Sequence, residues 1–183
     1  MPILGPDDAL TPPPRRVLVA GTSGSGKTTV AARLATALGV PHIEIDGLFH
    51  GPDWVPRPSF EADVRRFAAT GGWVTEWQYA AVRDHLADRA DLLVWLDLPR
   101  ALVMRQVVRR TVLRRLRREQ LWNGNREPPF RTVLTDREHI VRWAWNTHQV
   151  SAERVVELAA RRPELCIVRL RSRTEVTRWV AGR

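Results

Sequence analysis

Lysine is almost absent from this 183-residue chain: of 29 basic residues, 28 are arginines and Lys27 stands alone. The bias points to an arginine-rich coding background as much as to a functional surface. Cysteine is equally scarce. The single Cys166 cannot form an internal disulfide or a cysteine-based zinc site, and in the run Leu165-Cys166-Ile167-Val168 it is expected to be a buried strand thiol. A reducing cytoplasm is the compartment that suits it. Long apolar runs are missing too: none approaches the ~20 residues of a membrane helix, so a membrane partner is not expected. Residues 1–14 carry five prolines and two aspartates without a basic start and apolar stretch, so a secretory signal is not expected there. They are expected to form a flexible leader. No internal repeat is found.

The apolar fraction of 44% and charged fraction of 27% are those of a globular protein, and the length suits one domain, residues 15–183, with an appended lid at about 105–130. The net charge of +9 draws the chain toward anions, whether nucleotides, phosphorylated substrates or nucleic acid, and does not choose among them.

Apolar runs predict five strands, at Arg16–Ala20, His42–Ile45, Trp73–Thr75, Leu92–Leu96 and Leu165–Leu170. Helical patterns fall between them: Thr28–Leu38, Ser59–Thr70, Ala80–Arg89, a basic stretch Arg100–Glu119, a second long stretch Val133–Arg161, and a closing helix Glu175–Val180. Strands alternating with helices imply a parallel sheet covered on both faces.

Gly21-Thr22-Ser23-Gly24-Ser25-Gly26-Lys27-Thr28 matches G-x-x-x-x-G-K-[ST] between the first strand and the first helix, the context a phosphate cradle requires. Glycines let the loop curl so that successive N–H groups aim at phosphate oxygens, and the positive end of the helix adds to the attraction. Lys27 then bridges the β- and γ-phosphates, the Thr28 hydroxyl coordinates magnesium, and Thr29 adds an α-phosphate contact. No extended aspartate-terminated strand and no N-K-x-D is found, which argues against motor and GTPase classes.

With this cradle, Glu44-x-Asp46, Trp73 to Tyr79 and Leu121-Trp122-Asn123-Gly124-Asn125-Arg126-Glu127 in order, the chain resembles the P-loop kinases of the adenylate kinase-like, or DNA topology modulation, family. The resemblance covers most of the chain from about Arg16. It implies a three-layer α/β P-loop NTPase fold, a five-stranded parallel sheet of order 2-3-1-4-5 with a mobile arginine-rich helical lid, and ATP with Mg2+ as the cofactors. It implies a small-molecule phosphoryl acceptor without naming one. Relatives place Asp-Gly-Asn-Tyr after the third strand where this chain has Glu76-Trp77-Gln78-Tyr79.

Glu44 and Asp46 are two residues apart at the end of the second strand and are expected on one face, bordering the ligand crevice. Asp46 is the candidate to orient or deprotonate an acceptor hydroxyl; Glu44 or Glu76 is the candidate to hold magnesium through water. Capping a loop or helix is the plainer alternative for each, and for Asp97 it is the expected role. Arg105, Arg109 and Arg110 belong to a crowded basic helix, and as lid residues they are placed to neutralise transferred phosphate charge, Arg109 and Arg110 ahead of Arg105. A solvated basic face with Val107, Val108, Val112 and Leu116 as its buried stripe is the alternative. Arg173, in the loop after the fifth strand, is the candidate base contact. Trp73 and Trp95 are expected in the core, whereas Trp54, Trp77 and Trp122 lie beside proposed site segments. His50 is left outside the catalytic set.

A kinase is the leading expectation. A nucleic-acid-associated regulator using the basic stripe is less favoured, and a nucleotide hydrolase is the third class.

Overall fold

The computed structural model describes residues 3–116, 120–125 and 140–183. Five strands, β1 (Arg16–Ala20), β2 (His42–Ile43), β3 (Trp73–Glu76), β4 (Leu92–Leu96) and β5 (Cys166–Leu170), form one parallel sheet in the order β2-β3-β1-β4-β5. Both faces are covered, as the unbroken apolar runs of β1 and β4 require. Alternation along β1 divides the core in two. Val17 and Val19 join Leu34 of α1 (Lys27–Leu38), Val103 and Val107 of α5 (Arg100–Leu116) and Trp179 of α7 (Arg173–Ala181). Leu18 and Ala20 join Val64 of α3 (Phe60–Ala68), Leu86 of α4 (Ala80–Ala87) and Leu158 of α6 (Ile140–Arg161) on the other face. Trp73 and Trp95 lie in this second cluster, as expected.

The register aligns Val19 with Glu76 of β3 and Val94 of β4, so the carboxyl ends of the three central strands open on one crevice. The second strand is shorter than its apolar pattern predicts. It ends at Ile43, and α2 (Ile45–Phe49) begins at once, because the buried Glu76 carboxylate accepts the Ile45 N–H at 3.1 Å, a donor that a longer strand would have used. Glu44 and Asp46 therefore do not share a strand face: Glu44 precedes the helix and Asp46 lies within it.

Three further expectations are corrected. Asp97 does not cap the following helix; its carboxylate accepts from Arg169 Nε at 2.8 Å and forms an ion pair with that guanidinium. The buried stripe of α5 is Val103, Val107 and Thr111, whereas Val108 and Leu116 are exposed, so of the expected stripe Val107 faces the core and the helix is turned by roughly a third of a turn from the phase assumed. Part of the segment expected to be a flexible leader is docked. Leu4 donates to Ile167 O at 2.8 Å and accepts from Arg169 N at 2.9 Å, using the free backbone groups of the edge strand β5. The end of the basic stretch at 117–119, the 126–130 part of the expected lid and the start of the second long helix at 133–139 lie outside the described residues.

Candidate functional site

The cradle stands between β1 and α1. Gly24 has φ +82° and Gly26 φ +97°, conformations that side chains rarely adopt. A Cβ on Gly24 would fall 2.0 Å from Val107 Cγ2 of α5, so the loop is pressed beneath the basic helix as well as curled. Inside the curl, Ser25 N–H donates to Thr22 O at 3.1 Å and Lys27 Nζ donates to the same carbonyl at 3.2 Å. The Ser25 hydroxyl is buried and has no partner among the described residues. An orphaned hydroxyl in a loop of turned-in amides fits a phosphate group, which supplies acceptors. Ser23, Gly21 and Thr28 are partly buried, and Thr29 is exposed on the first turn of α1.

Lys27 is the electrostatic centre. Burial lowers its ammonium from the ordinary lysine value, the carboxylates of Asp46 and Glu76 act upward, and Arg110 acts downward. These groups converge on Lys27 from α2, β3 and α5.

Asp46 is held rather than loose. Its Oδ1 accepts from Gln78 Nε2 at 2.5 Å and from the Tyr79 hydroxyl at 2.6 Å. His50 Nε2 lies 3.2 Å from that hydroxyl, and Phe49 stacks on the Tyr79 ring at 4.1 Å. Burial first, and then Asp46, push the Tyr79 phenol well above its usual range. Burial pulls His50 down against the opposing charge of Asp46. Glu76 is 1% exposed, with Oε1 paired to His42 Nε2 at 3.1 Å and Oε2 to Ile45 N–H at 3.1 Å. Burial by itself would raise this carboxyl, but the hydrogen bonds from His42 and the backbone outweigh it and hold the group below its ordinary value. Glu44 is partly buried and makes no side-chain capping bond at the start of α2. Among the described residues no cluster of three His, Cys, Asp or Glu side chains forms a metal cage.

The basic helix divides its arginines. At 100° per residue, Arg110 falls beside Val107 and Thr111 on the face toward the cradle, and it is partly buried. Arg105 and Arg109 are exposed on the opposite side. Arg173 is exposed at the start of α7, where Ser172 Oγ accepts from Glu175 N–H at 3.1 Å and Glu175 accepts from the backbone of Arg171, a reciprocal cap of the loop after β5.

The turn at residues 120–125 reaches the site from another direction. Asn125 is buried, donates to Gly51 O at 2.8 Å and accepts from Trp54 N–H at 3.1 Å, while Asn123 donates to His50 O. Trp122 stacks on His50 at 5.9 Å. Trp77, in contrast, turns into the core and donates its indole N–H to Arg83 O at 3.1 Å, so the indole standing where relatives have glycine does not crowd Asp46. Gln78 and Tyr79 are site residues that sequence reasoning did not single out; His50 stood outside the catalytic set, and Asn125 belongs to the turn motif that carries the resemblance. Tyr79 is the chain's only tyrosine and sits within the stretch that carries the resemblance, which was the one available signal.

No model of a known protein family matches the chain. Two Halobacterium salinarum proteins named "Putative adenylate kinase" are 42% identical to it over 83 residues, 43% of this chain and 40% of theirs. The match thus spans two-fifths of the length of those relatives. A gluconokinase from Sinorhizobium meliloti superposes with a TM-score of 0.51 at 22% identity, covering 92% of this chain and 91% of its own. A sugar kinase from Janibacter, unliganded, gives a TM-score of 0.52 at 20% identity, with 93% and 92% covered. The chain shares its fold with these two kinase structures. The sheet order read through the resemblance is the order observed. At these identities the likeness establishes architecture, and the chemistry rests on the site.

Proposed function

We propose that this chain is an ATP-dependent small-molecule phosphotransferase that moves the γ-phosphoryl of ATP to an acceptor carrying a free hydroxyl or phosphate. One observation carries it: β1, which leads into the cradle, pairs in register with β3, whose continuation at Gln78 and Tyr79 holds Asp46, so a cradle for the donor phosphates and a candidate base for an acceptor border one crevice. The curated relatives named as adenylate kinases support the same reaction class.

In this reading the amides of Gly21 to Thr28, with Thr29 on the flank, hold the donor phosphates, and Lys27 follows the charge as it moves from ATP to acceptor. Arg110 completes the neutralisation from α5, and Arg109 and Arg105 reach the phosphates only if the helix turns. Asp46 orients the acceptor hydroxyl and takes its proton. A magnesium ion bound here would supply positive charge against the donor phosphates. The Thr28 hydroxyl and Glu44 would hold it; Glu44 is preferred to Glu76 because both Glu76 oxygens already have hydrogen-bond partners. Arg173 contacts the base. Cys166, whose thiol is pushed up by burial, has no part in the chemistry and suits a reducing cytoplasm.

The test is magnesium-dependent ATP consumption by the purified protein, with nucleoside monophosphates, sugars and hydroxy acids supplied in turn. Stimulation by one of them, lost on the order of 10³-fold in a folded Lys27→Ala variant, is the expected outcome. Full turnover in that variant sinks the proposal. ATP binding with a flat panel moves the weight to a nucleic-acid-associated regulator, whose footprint would be the exposed Arg105 and Arg109 face, or to a hydrolase.

A further inference from the structure

The residues around Asp46 form a chain of donors whose direction is fixed by chemistry. Tyr79 has one hydroxyl proton. The ionised Asp46 carboxylate can only accept, so at 2.6 Å that proton is committed to Oδ1. The contact between the Tyr79 oxygen and His50 Nε2 at 3.2 Å then requires the proton to sit on Nε2. The order is His50 Nε2–H to Tyr79 Oη–H to Asp46 Oδ1, and the carboxylate charge aligns both dipoles. Gln78 Nε2 donates to the same oxygen at 2.5 Å. Oδ1 thus receives both donors, and neither of them bonds Oδ2.

The surroundings hold this arrangement from every side. The His50 ring is edge-on to Phe49 at 5.0 Å and to Trp54 at 5.0 Å, and stacked on Trp122 at 5.9 Å. Its Nδ1 is buried without a partner among the described residues, which agrees with an unprotonated nitrogen there. Tyr79 has φ +63° and ψ +111°, a backbone conformation that is strained in a residue with a side chain and persists only where the surroundings impose it. Its ring is clamped between Phe49 and Phe60, at 4.1 and 5.3 Å.

We propose that Tyr79 and Gln78 are positioning residues that lock Asp46 through Oδ1 and so present Oδ2 to the acceptor, with His50 orienting the Tyr79 hydroxyl from behind. This rests on the kinase reading. In the step so served, the acceptor oxygen forms a bond to the γ-phosphorus of ATP, the bond from that phosphorus to the β,γ-bridging oxygen breaks to release ADP, and the acceptor hydroxyl proton moves to Asp46 Oδ2 and on to solvent. Tyr79 and Gln78 exchange no proton with the substrate; they act by holding geometry, and misplacement by even an ångström is costly in such a step.

The experiment combines a double-mutant cycle with a spectroscopic measurement. ATP consumption is followed with AMP, gluconate and shikimate as trial acceptors and water as the slow background acceptor, in wild type, Tyr79→Phe, Gln78→Ala, Asp46→Asn and Tyr79→Phe/Asp46→Asn. Phenylalanine keeps the clamped ring and removes only the hydroxyl; Gln78→Ala attacks Oδ1 independently should the first variant misfold. Turnover is expected to fall on the order of 10- to 100-fold in each positioning variant, with ATP affinity by calorimetry within about twofold. The double variant is expected to be no slower than Asp46→Asn alone, since Tyr79 acts through Asp46. Nitrogen NMR of the His50 imidazole at neutral pH is expected to show Nε2 protonated and Nδ1 bare. Unchanged turnover in both positioning variants, losses that multiply in the double variant, or a proton on Nδ1 instead of Nε2 each overturn the assignment. No ATP turnover in wild type with any acceptor, unchanged by Lys27→Ala, overturns the kinase reading and this assignment with it.

Discussion

The donor side and the acceptor side of the crevice are built in opposite ways. The donor side is contiguous: eight residues from Gly21 to Thr28 turn a strand into a helix, and their conformations are set by glycine and by the pressure of Val107 from one neighbouring helix. The acceptor side is assembled from distant pieces, with Asp46 from α2 and His50 just after it, Gln78 and Tyr79 from the segment after β3, and Trp122 and Asn125 from a turn beyond the basic helix. A phosphate group is the same in every nucleotide, so a local loop is enough to hold it. An acceptor varies, and groups on separate loops can be changed one at a time without disturbing the cradle.

The sharpest way to break this comparison is to spoil the local loop. Gly24→Ala meets both a left-handed backbone and a Val107 methyl 2.0 Å from the new Cβ, whereas a Cβ on Gly26 has no neighbour within 4 Å and meets the backbone conformation alone. We expect Gly24→Ala to lower stability by on the order of 3 kcal/mol, roughly 10 °C in melting temperature, and Gly26→Ala by about 1–2 kcal/mol. Equal losses in a melting experiment would mean that α5 yields at Val107 and that the cradle is held only by its own backbone.

That asymmetry explains what was legible in the sequence. The cradle, the sheet order and the buried tryptophans Trp73 and Trp95 could be read because each depends on local pattern, or on a resemblance carried by contiguous motifs. The Asp46 network could not, since nothing at residue 46 signals that residues 78 and 79 will be its neighbours. The end of the second strand was misread for the same reason: Ile45 suits a strand, and it is the Glu76 carboxylate, brought over by the sheet register, that captures its N–H. The phase of α5 was misread because Val107, Val108, Val112 and Leu116 are all apolar, and only the position of Gly24 decides which of them faces inward.

Glu76 joins the two sides, since its two oxygens fix β2 to α2 while its charge reaches Lys27. Replacing it by Gln keeps the shape and removes the charge-assisted bonds, at an expected cost of roughly 2 kcal/mol. The pH dependence gives a second reading of the same residue. The folded-state carboxyl is held below its unfolded value, so its contribution is fully present above the ordinary glutamate range of about 4.3 and is lost as pH falls through the lower folded-state value. Chemical denaturation between neutral and acid pH is expected to show wild type losing stability faster than Glu76→Gln on the acid side. Parallel curves would show that Glu76 binds its partners without a preference for the charged form, and the junction would then be one of shape only.

The smallest effects are expected on the outer face of the basic helix, where they separate charge from position. Arg110 lies on the same helical face as Val107 and electrostatically beside Lys27, whereas Arg105 and Arg109 are exposed half a turn away. If the helix acts on phosphate as it stands, Arg110→Ala lowers turnover on the order of 10²-fold, and Arg105→Ala and Arg109→Ala change it within about twofold, the range of surface substitutions. Turnover assays of the three single variants decide between a fixed and a moving helix. A large loss at Arg109 requires α5 to rotate or bend on closing, and because Val107 is wedged over Gly24, that motion has to reshape the cradle as well. The donor side would then be no more rigid than the acceptor side, and its contiguity in sequence would say nothing about its mechanics.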